Sequence, residues 1–324
     1  MRVVVIGGTE FIGRRLVETL VGRGDEVLVV HRGRTEPEDA PSCAHLHVDR
    51  REFATVAGQV RGFRPDAVVD TIALTGEDVE AVLPHLPEAH LVVLSSCDVY
   101  RVYELLLNGD ETPMPVPVDE GGPLRLRRYP FRGKGMDLDD YDKLDVEPAY
   151  LCRGGTVLRL GMVYGHRDPQ RREEFVLRRV RAGRDRIPVG PGTTLTTRLH
   201  VDDAARAVLA ALDRPDAAAG EVFNVGETTT YSVRAWIRLI LAAAGHAAEL
   251  VPVPEESLPA DLGLTRAHPQ HILMSSQKAT DLLGWCHGEP ATAVRRSVRW
   301  HLDHPPGDPC ADFTADDAAL SHAI

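Results

Sequence analysis

The chain has 324 residues and a formal charge of −11, so it can bury a sizeable core in one large or two modest domains, and it lacks the basic face a nucleic-acid glove requires. Its five cysteines, Cys43, Cys97, Cys152, Cys286 and Cys310, are odd in number and show no CxxC spacing, which argues against a disulfide framework or a zinc knuckle and gives no reason to expect a metal. The opening run MRVVVIGG enters a strand directly, and no apolar stretch approaches the roughly 20 residues that span a bilayer, so a soluble, cytoplasmic protein is expected.

In chain order, Val3–Ile6, Val27–Val30, Leu46–Val48, Ala67–Asp70 and Leu91–Ser95 are short, nearly uninterrupted apolar runs, the pattern of strands buried on both faces of a parallel sheet. Between them Phe11–Val21, Glu52–Arg61 and Asp78–Leu86 carry helical spacing. This alternation predicts right-handed βαβ crossovers and an α/β, doubly wound parallel sheet of the Rossmann type. Arg101–Gly135 breaks the rhythm, with Pro113, Pro115, Pro117, Pro123 and Pro130 leaving little room for regular structure; a functional loop or lid is expected there. A strand at Thr156–Leu160 resumes the pattern. Short strands (Thr196–Val201, Val222–Val225) and helices (Asp202–Leu212, Ser232–Ala244, Ala291–His304) follow. The expected division is a dinucleotide-binding domain over 1–165, a smaller substrate-binding region over 166–305 interleaved with the end of the sheet, and a loose polar tail over 306–324.

The strongest signal is Gly7-Gly8-Thr9-Glu10-Phe11-Ile12-Gly13, lying between a strand and a helix. Glycine at the strand end permits a tight turn, amides at the helix mouth can face a pyrophosphate, and Gly13 lets helix and sheet approach. Glu10 stands where a middle glycine is usual, and its carboxylate weakens diphosphate binding unless it swings outward.

The segment GGTEFIGRRLVETLVGRGDEVLVVHRG resembles the atypical extended short-chain dehydrogenase/reductases, the NAD-dependent epimerase/dehydratase group, in the branch reading GGTxFIG. Ser95-Ser96-Cys97-Asp98-Val99-Tyr100 resembles that group's SSxxVYG, Leu160–Gly165 its RxxNVYGP, and His200-Val201-Asp202-Asp203-Ala204 its HVxDxA; the similarity runs from Met1 to about Pro305. The resemblance implies an NAD(P)-dependent enzyme, with Asp49 reaching the adenine amino group, and a homodimer formed through helices flanking the sheet. The second strand ends Val30-His31-Arg32-Gly33-Arg34 without the usual ribose-binding carboxylate. Arg32 and Arg34 can instead pair with a 2′-phosphate, which favours NADP over NAD.

The group's chemistry uses Ser/Thr to orient substrate, Tyr to move the proton while the nicotinamide moves the hydride, and Lys one turn on to lower the Tyr pKa from about 10. Ser96 fits the first role. In Asp139-Asp140-Tyr141-Asp142-Lys143-Leu144-Asp145-Val146-Glu147 no register gives both Tyr and Lys, and two positions on a regular helix lie about 200° apart. Three readings stay open: an irregular helix start restores Tyr141 and Lys143; Asp98, Tyr141 or Cys97 supplies the acid or base; or the chain binds cofactor without hydride chemistry. Cys97 reads best as a small buried residue, and Tyr141 and Lys143 also fit a solvated helix face.

On the substrate side, the resemblance puts Asn where Met162 stands and Arg where Thr196 stands, and Arg198, two residues on, shares the face of Thr196 and can meet a phosphate. His200 reads as structural. The expected function is an epimerase, dehydratase or reductase acting on a small hydroxylated or carbonyl, sugar-like metabolite. The alternatives are a non-catalytic NAD(P)-binding regulator or scaffold and, third, RNA binding, which chloroplast stem-loop RNA-binding proteins of the same branch suggest and the negative charge disfavours.

Overall fold

The computed structural model describes residues 1–36, 39–308 and 311–323; Cys310 lies outside them. The first half contains β1 (Arg2–Ile6), α1 (Phe11–Arg23), β2 (Glu26–His31), β3 (Ala44–His47), α2 (Ala57–Phe63), β4 (Ala67–Asp70), α3 (Gly76–Val82) and β5 (His90–Ser96). Next come α4 (Arg101–Asn108), α5 (Lys143–Cys152), β6 (Thr156–Leu160) and β7 (Met162–Tyr164). The remainder runs α6 (Glu174–Arg181), β8 (Arg186–Val189), β9 (Arg198–His200), α7 (Val201–Asp213), α8 (Pro215–Ala218), β10 (Val222–Val225), α9 (Val233–Ala243), β11 (Glu249–Pro252), α10 (Gln277–Leu283), α11 (Pro290–Asp303) and α12 (Thr314–Leu320).

Seven parallel strands form one sheet in the order β3-β2-β1-β4-β5-β6-β10. The unbroken apolar runs follow from burial on both faces. Val3 and Val5 of β1 pack with Leu16 and Leu20 of α1 and Val208 of α7, while Val4 and Ile6 face Phe53, Val60 and Tyr150 on the other side. Chain direction across the sheet reverses at β1, so a crevice opens beyond the carboxyl ends of β1 and β4, where ligands of such sheets bind. The pairs β7–β9 and β8–β11 lie outside this sheet, beside a separate core around Trp236, Ile237 and Val298 from α9 and α11. The second half nonetheless contributes β10 to the main sheet and α7 to its flank.

Three elements differ from expectation. The helix predicted over 52–61 is split into a 3₁₀ stretch, Arg50–Thr55, and α2, because Asp49 caps the first turn by accepting from the Arg51 amide at 3.0 Å. The proline-rich insert begins with a helix, α4, whose Val102 and Leu105 are buried; its prolines come only after the helix has ended. The tail expected to be loose contains α12, and its Asp316 is fully buried against Arg179. Apolar periodicity could not reveal that helix, since an ion pair anchors it. No helix of the described residues is long and apolar enough to cross a membrane.

Candidate functional site

The crevice over β1 and β4 is a cleft of about 690 Å³ lined by Gly7, Thr9–Gly13, Val30–Arg32, Arg34, Asp49 and, from the β4 side, Thr71, Ile72 and Leu74. Gly7 adopts φ +89°, and a Cβ on Gly13 would stand 1.9 Å from the Gly7 carbonyl oxygen, so turn and helix touch backbone to backbone. That close approach brings the α1 amino terminus, with its unpaired amides, to the floor of the cleft. Glu10, the extended N-cap of α1, is exposed at the rim and makes no side-chain capping bond. Phe11 follows in left-handed backbone (φ +36°), a conformation that concentrates at ligand sites. A glycine cradle at a helix mouth, in a cleft of this volume, fits a dinucleotide.

The residues expected at the adenosine end divide in two. Arg32 and Arg34 are exposed on the loop after β2. His31 is buried and its ring bonds to His45 at 2.9 Å. Asp49 borders the cleft but its carboxylate is engaged in capping the Arg51 turn. Sequence reasoning missed Arg50, which lines the cleft and pairs with buried Asp70 at 2.9 Å, and Thr71, whose hydroxyl donates to the Ile6 and Gly7 carbonyls. Neither follows a spacing rule; both matter only once β4 lies beside β1.

Beside the cleft the structure brings Ser96, Asp98, Tyr141 and Lys143 together. Ser96 ends β5 and its hydroxyl accepts from the Asp98 amide at 3.2 Å, capping a single 3₁₀ turn, Cys97–Val99. The buried Asp98 carboxylate accepts the Tyr141 hydroxyl at 2.7 Å through Oδ2, while its Oδ1 is buried with no hydrogen-bond partner among the described residues. Burial pushes the Asp98 carboxyl above the usual carboxylate range, and burial together with that carboxylate drives the Tyr141 phenol well above its ordinary value. Burial also pushes the Cys97 thiol up to about 12, which makes it a poor nucleophile.

The spacing problem between Tyr141 and Lys143 is resolved by where α5 starts. Asp142, not Tyr141, is its N-cap (φ −158°, ψ 106°), accepting from the Leu144 amide at 2.9 Å. Arg125, Arg128 at 2.6 Å and the Tyr129 amide at 3.0 Å converge on the same carboxylate; burial alone would raise its pKa, but these partners hold it at about 2. Tyr141 therefore lies in irregular chain before the helix, and the helical angle does not separate it from Lys143. The Lys143 ammonium lies 5.9 Å from the Tyr141 ring centre and donates to the Leu94 carbonyl at 2.9 Å and the Ala73 carbonyl at 2.5 Å. Complete burial pushes its pKa down to about 8. Leu74, which lines the cleft, accepts from the Asp142 amide at 3.0 Å, so this cluster and the cleft share a wall. The ring of Phe131, on the loop before α5, covers Tyr141 at 5.3 Å.

Farther out, Met162 and Arg198 are register partners across β7 and β9. The Arg198 guanidinium is buried, donates to the Tyr231 carbonyl at 2.9 Å and lies 4.3 Å over the Trp236 ring; burial lowers its pKa to about 10. His200 caps α7 by accepting from the Asp202 amide, as its structural reading expects. Glu147 is held by Arg159 and Ser95 beneath the site.

A sequence model described as the NAD dependent epimerase/dehydratase family matches residues 3–86 and 149–226. The chain is 27% identical to the chloroplast stem-loop binding protein of 41 kDa b of Arabidopsis thaliana, over 100% of this chain and 85% of that protein. It is 28% identical to the dTDP-6-deoxy-L-talose 4-dehydrogenase (NAD(P)(+)) of Kitasatospora kifunensis, over 92% and 93% of the two chains. Among solved structures, a UDP-glucose 4-epimerase from Thermotoga maritima with UDP-glucose superposes with a TM-score of 0.69 at 18% identity, covering 94% of this chain and 99% of that one. The Bifidobacterium longum UDP-glucose 4-epimerase in complex with NAD+ and UDP gives 0.68 at 19%, covering 95% and 100%. These superpositions carry the fold.

Proposed function

The chain belongs to the NAD dependent epimerase/dehydratase family, NAD(P)-binding enzymes, and from that premise we propose that it oxidises or reduces a carbinol carbon of a small sugar-like metabolite through a Tyr141–Asp98 proton relay. The observation that carries this reading is the buried Asp98 carboxylate, with one oxygen on Tyr141 and the other without a hydrogen-bond partner among the described residues. A buried carboxylate left half satisfied is costly to folding, and such groups concentrate at functional sites.

Gly7, Gly13 and the α1 amides would hold the pyrophosphate, and Arg32 and Arg34 the adenosine end, with NADP preferred. When bound, the nicotinamide accepts or returns the hydride. Tyr141 alone is too weak an acid to stand as a tyrosinate near neutrality. As it takes the substrate hydroxyl proton on its oxygen, its own proton passes to Asp98 Oδ2, and reduction runs the same transfers backward. Ser96 orients the substrate oxygen. Lys143 keeps positive potential behind the pair, favouring anionic character on Asp98 and Tyr141. The region over 166–305 supplies the substrate side, and Met162 gives it an apolar wall.

Thermal shift and tryptophan quenching with NADP and NAD test the cofactor step, and no response to either at millimolar concentration overturns it. Ser96→Ala should bind cofactor as the wild type does and lose turnover against a panel of nucleotide sugars and simpler hydroxylated metabolites. We further read the chain as a homodimer that binds no nucleic acid, given its charge of −11. Light scattering at the monomer mass, or a salt-dependent gel shift with stem-loop RNA, would count against those two statements.

A further inference from the structure

Strand β3 is the edge of the main sheet, and strand alternation puts His45 and His47 on one face of it. The β2–β3 register sets His47 directly beside His31, and the loop after β2 returns Glu36 to the same spot. His31 Nε2 lies 2.9 Å from His45 Nδ1 and 3.1 Å from Glu36 Oε1; His45 Nδ1 lies 3.8 Å from that oxygen, and His47 Nε2 touches it. All four candidate ligand atoms fall within 4.8 Å of one another. Bonds of about 2.0–2.2 Å in a tetrahedral site place ligand atoms about 3.3–3.5 Å apart, so small side-chain rotations suffice to close the set. We propose that His31, Glu36, His45 and His47 bind one divalent transition-metal ion of the zinc class at this sheet edge.

Three imidazoles and one carboxylate match borderline metals rather than magnesium or calcium, which prefer an all-oxygen set. An outer partner is present: the second His45 nitrogen lies 3.4 Å from Cys43 Sγ. The cysteine spacing that argued against a metal is beside the point, because the ligands are histidines assembled by strand register. Half of the His31 ring faces the other way, its Nδ1 accepting from the Gly33 amide at 3.2 Å. In the ion-free chain the ring proton therefore sits on Nε2, among the ligands. When an ion takes that place, the proton moves to Nδ1 and the Gly33 amide has to turn away. Gly33, at φ +72°, stands between Arg32 and Arg34, so ion occupancy repositions the arginine loop at the cleft.

The test uses the full, untagged chain stripped with chelator, titrated with zinc chloride by calorimetry and with cobalt chloride by visible absorption. One ion per chain and the intense bands of tetrahedral cobalt are expected. The double variant H45N/H47N should bind at least about 100-fold more weakly, the upper end of what losing even outer partners costs. Glu36→Gln, at an exposed loop position that leaves the sheet intact, should weaken binding by about tenfold or more. The proposal is overturned by no binding, by pale octahedral cobalt spectra, or by unchanged affinity in folded Glu36→Gln and H45N/H47N. No arm involves the dinucleotide, so its outcome is separate from that of the proposed hydride chemistry.

Discussion

Tyr141 and Asp98, 43 residues apart in sequence, share one proton across 2.7 Å at a buried position. The pair exists because two short capped turns meet. Ser96 turns the end of β5 so that Asp98 points inward, and Asp142 starts α5 one residue after Tyr141. Burial raises both groups; the Asp98 carboxylate pushes Tyr141 up further, whereas the hydrogen bond donated by Tyr141 pulls Asp98 back down, so of the two Asp98 is the one that carries the negative charge.

Asp98→Asn removes the relay and should lower turnover by about 10²–10⁴-fold while cofactor affinity holds. It should also change the pH dependence of stability. The Asp98 carboxyl is raised on folding, so its contribution is full below the unfolded value of about 4 and is lost as pH rises through the folded value. Thermal unfolding of both proteins across that range should therefore shift in favour of the variant as pH rises. A constant difference would show that Asp98 is not held in a raised state.

Lys143 gives the opposite slope. Its folded pKa is about 8 against an ordinary 10.5, so between those values the unfolded chain holds a proton the folded one lacks, and stability increases with pH. Lys143→Met should lack that rise, so the wild-type-minus-variant difference in stability, read from urea unfolding at pH values inside the window, should grow with pH. Parallel curves would contradict it.

Arg32→Ala with Arg34→Ala should weaken NADP by about tenfold or more, the scale of one lost charge-assisted hydrogen bond, and leave NAD nearly unchanged. Titration of both cofactors by fluorescence decides it. Equal losses would move the 2′-phosphate contact elsewhere.

Arg179 and Asp316 are both fully buried and paired at 2.7 Å, with Asp261 as a second partner of the arginine. Removing one partner of a buried pair typically costs about 3–5 kcal/mol, so Asp316→Ala should lower the denaturant midpoint markedly. A neutral result would return residues 311–323 to the status of a dispensable tail.

Legibility differed by region for identifiable reasons. Ala67–Asp70, Thr156–Leu160 and Val222–Val225 read from sequence with the bounds the structure gives, because strands buried on both faces are mostly apolar; their polar members are paired, Asp70 with Arg50, Arg159 with Glu147 and Asn224 with the Tyr100 hydroxyl. The glycine cradle was legible because a turn, a helix mouth and a close approach each demand a specific residue within seven positions. The 3₁₀ break at Arg50–Thr55 was missed because capping by Asp49 outweighs helical spacing there. The N-cap preference of aspartate could have placed the α5 start at Asp142, though nothing local shows why Asp142 was chosen over Asp139 or Asp140. That choice is made by Arg125 and Arg128, 17 and 14 residues upstream, which bury and fix its carboxylate.

The sequence by itself determined the parallel βαβ sheet and the glycine turn at a helix mouth, since short-range periodicity and turn chemistry encode both, while the candidacy of Ser96 came from the resemblance of its segment to a family motif. Only the tertiary structure decided that Tyr141 meets Asp98 rather than standing on a helix face, that Arg198 faces inward, that the tail is anchored, and that His31, Glu36, His45 and His47 converge. Those outcomes depend on buried charges and strand register, whose partners are distant in the chain and leave no periodic trace in it.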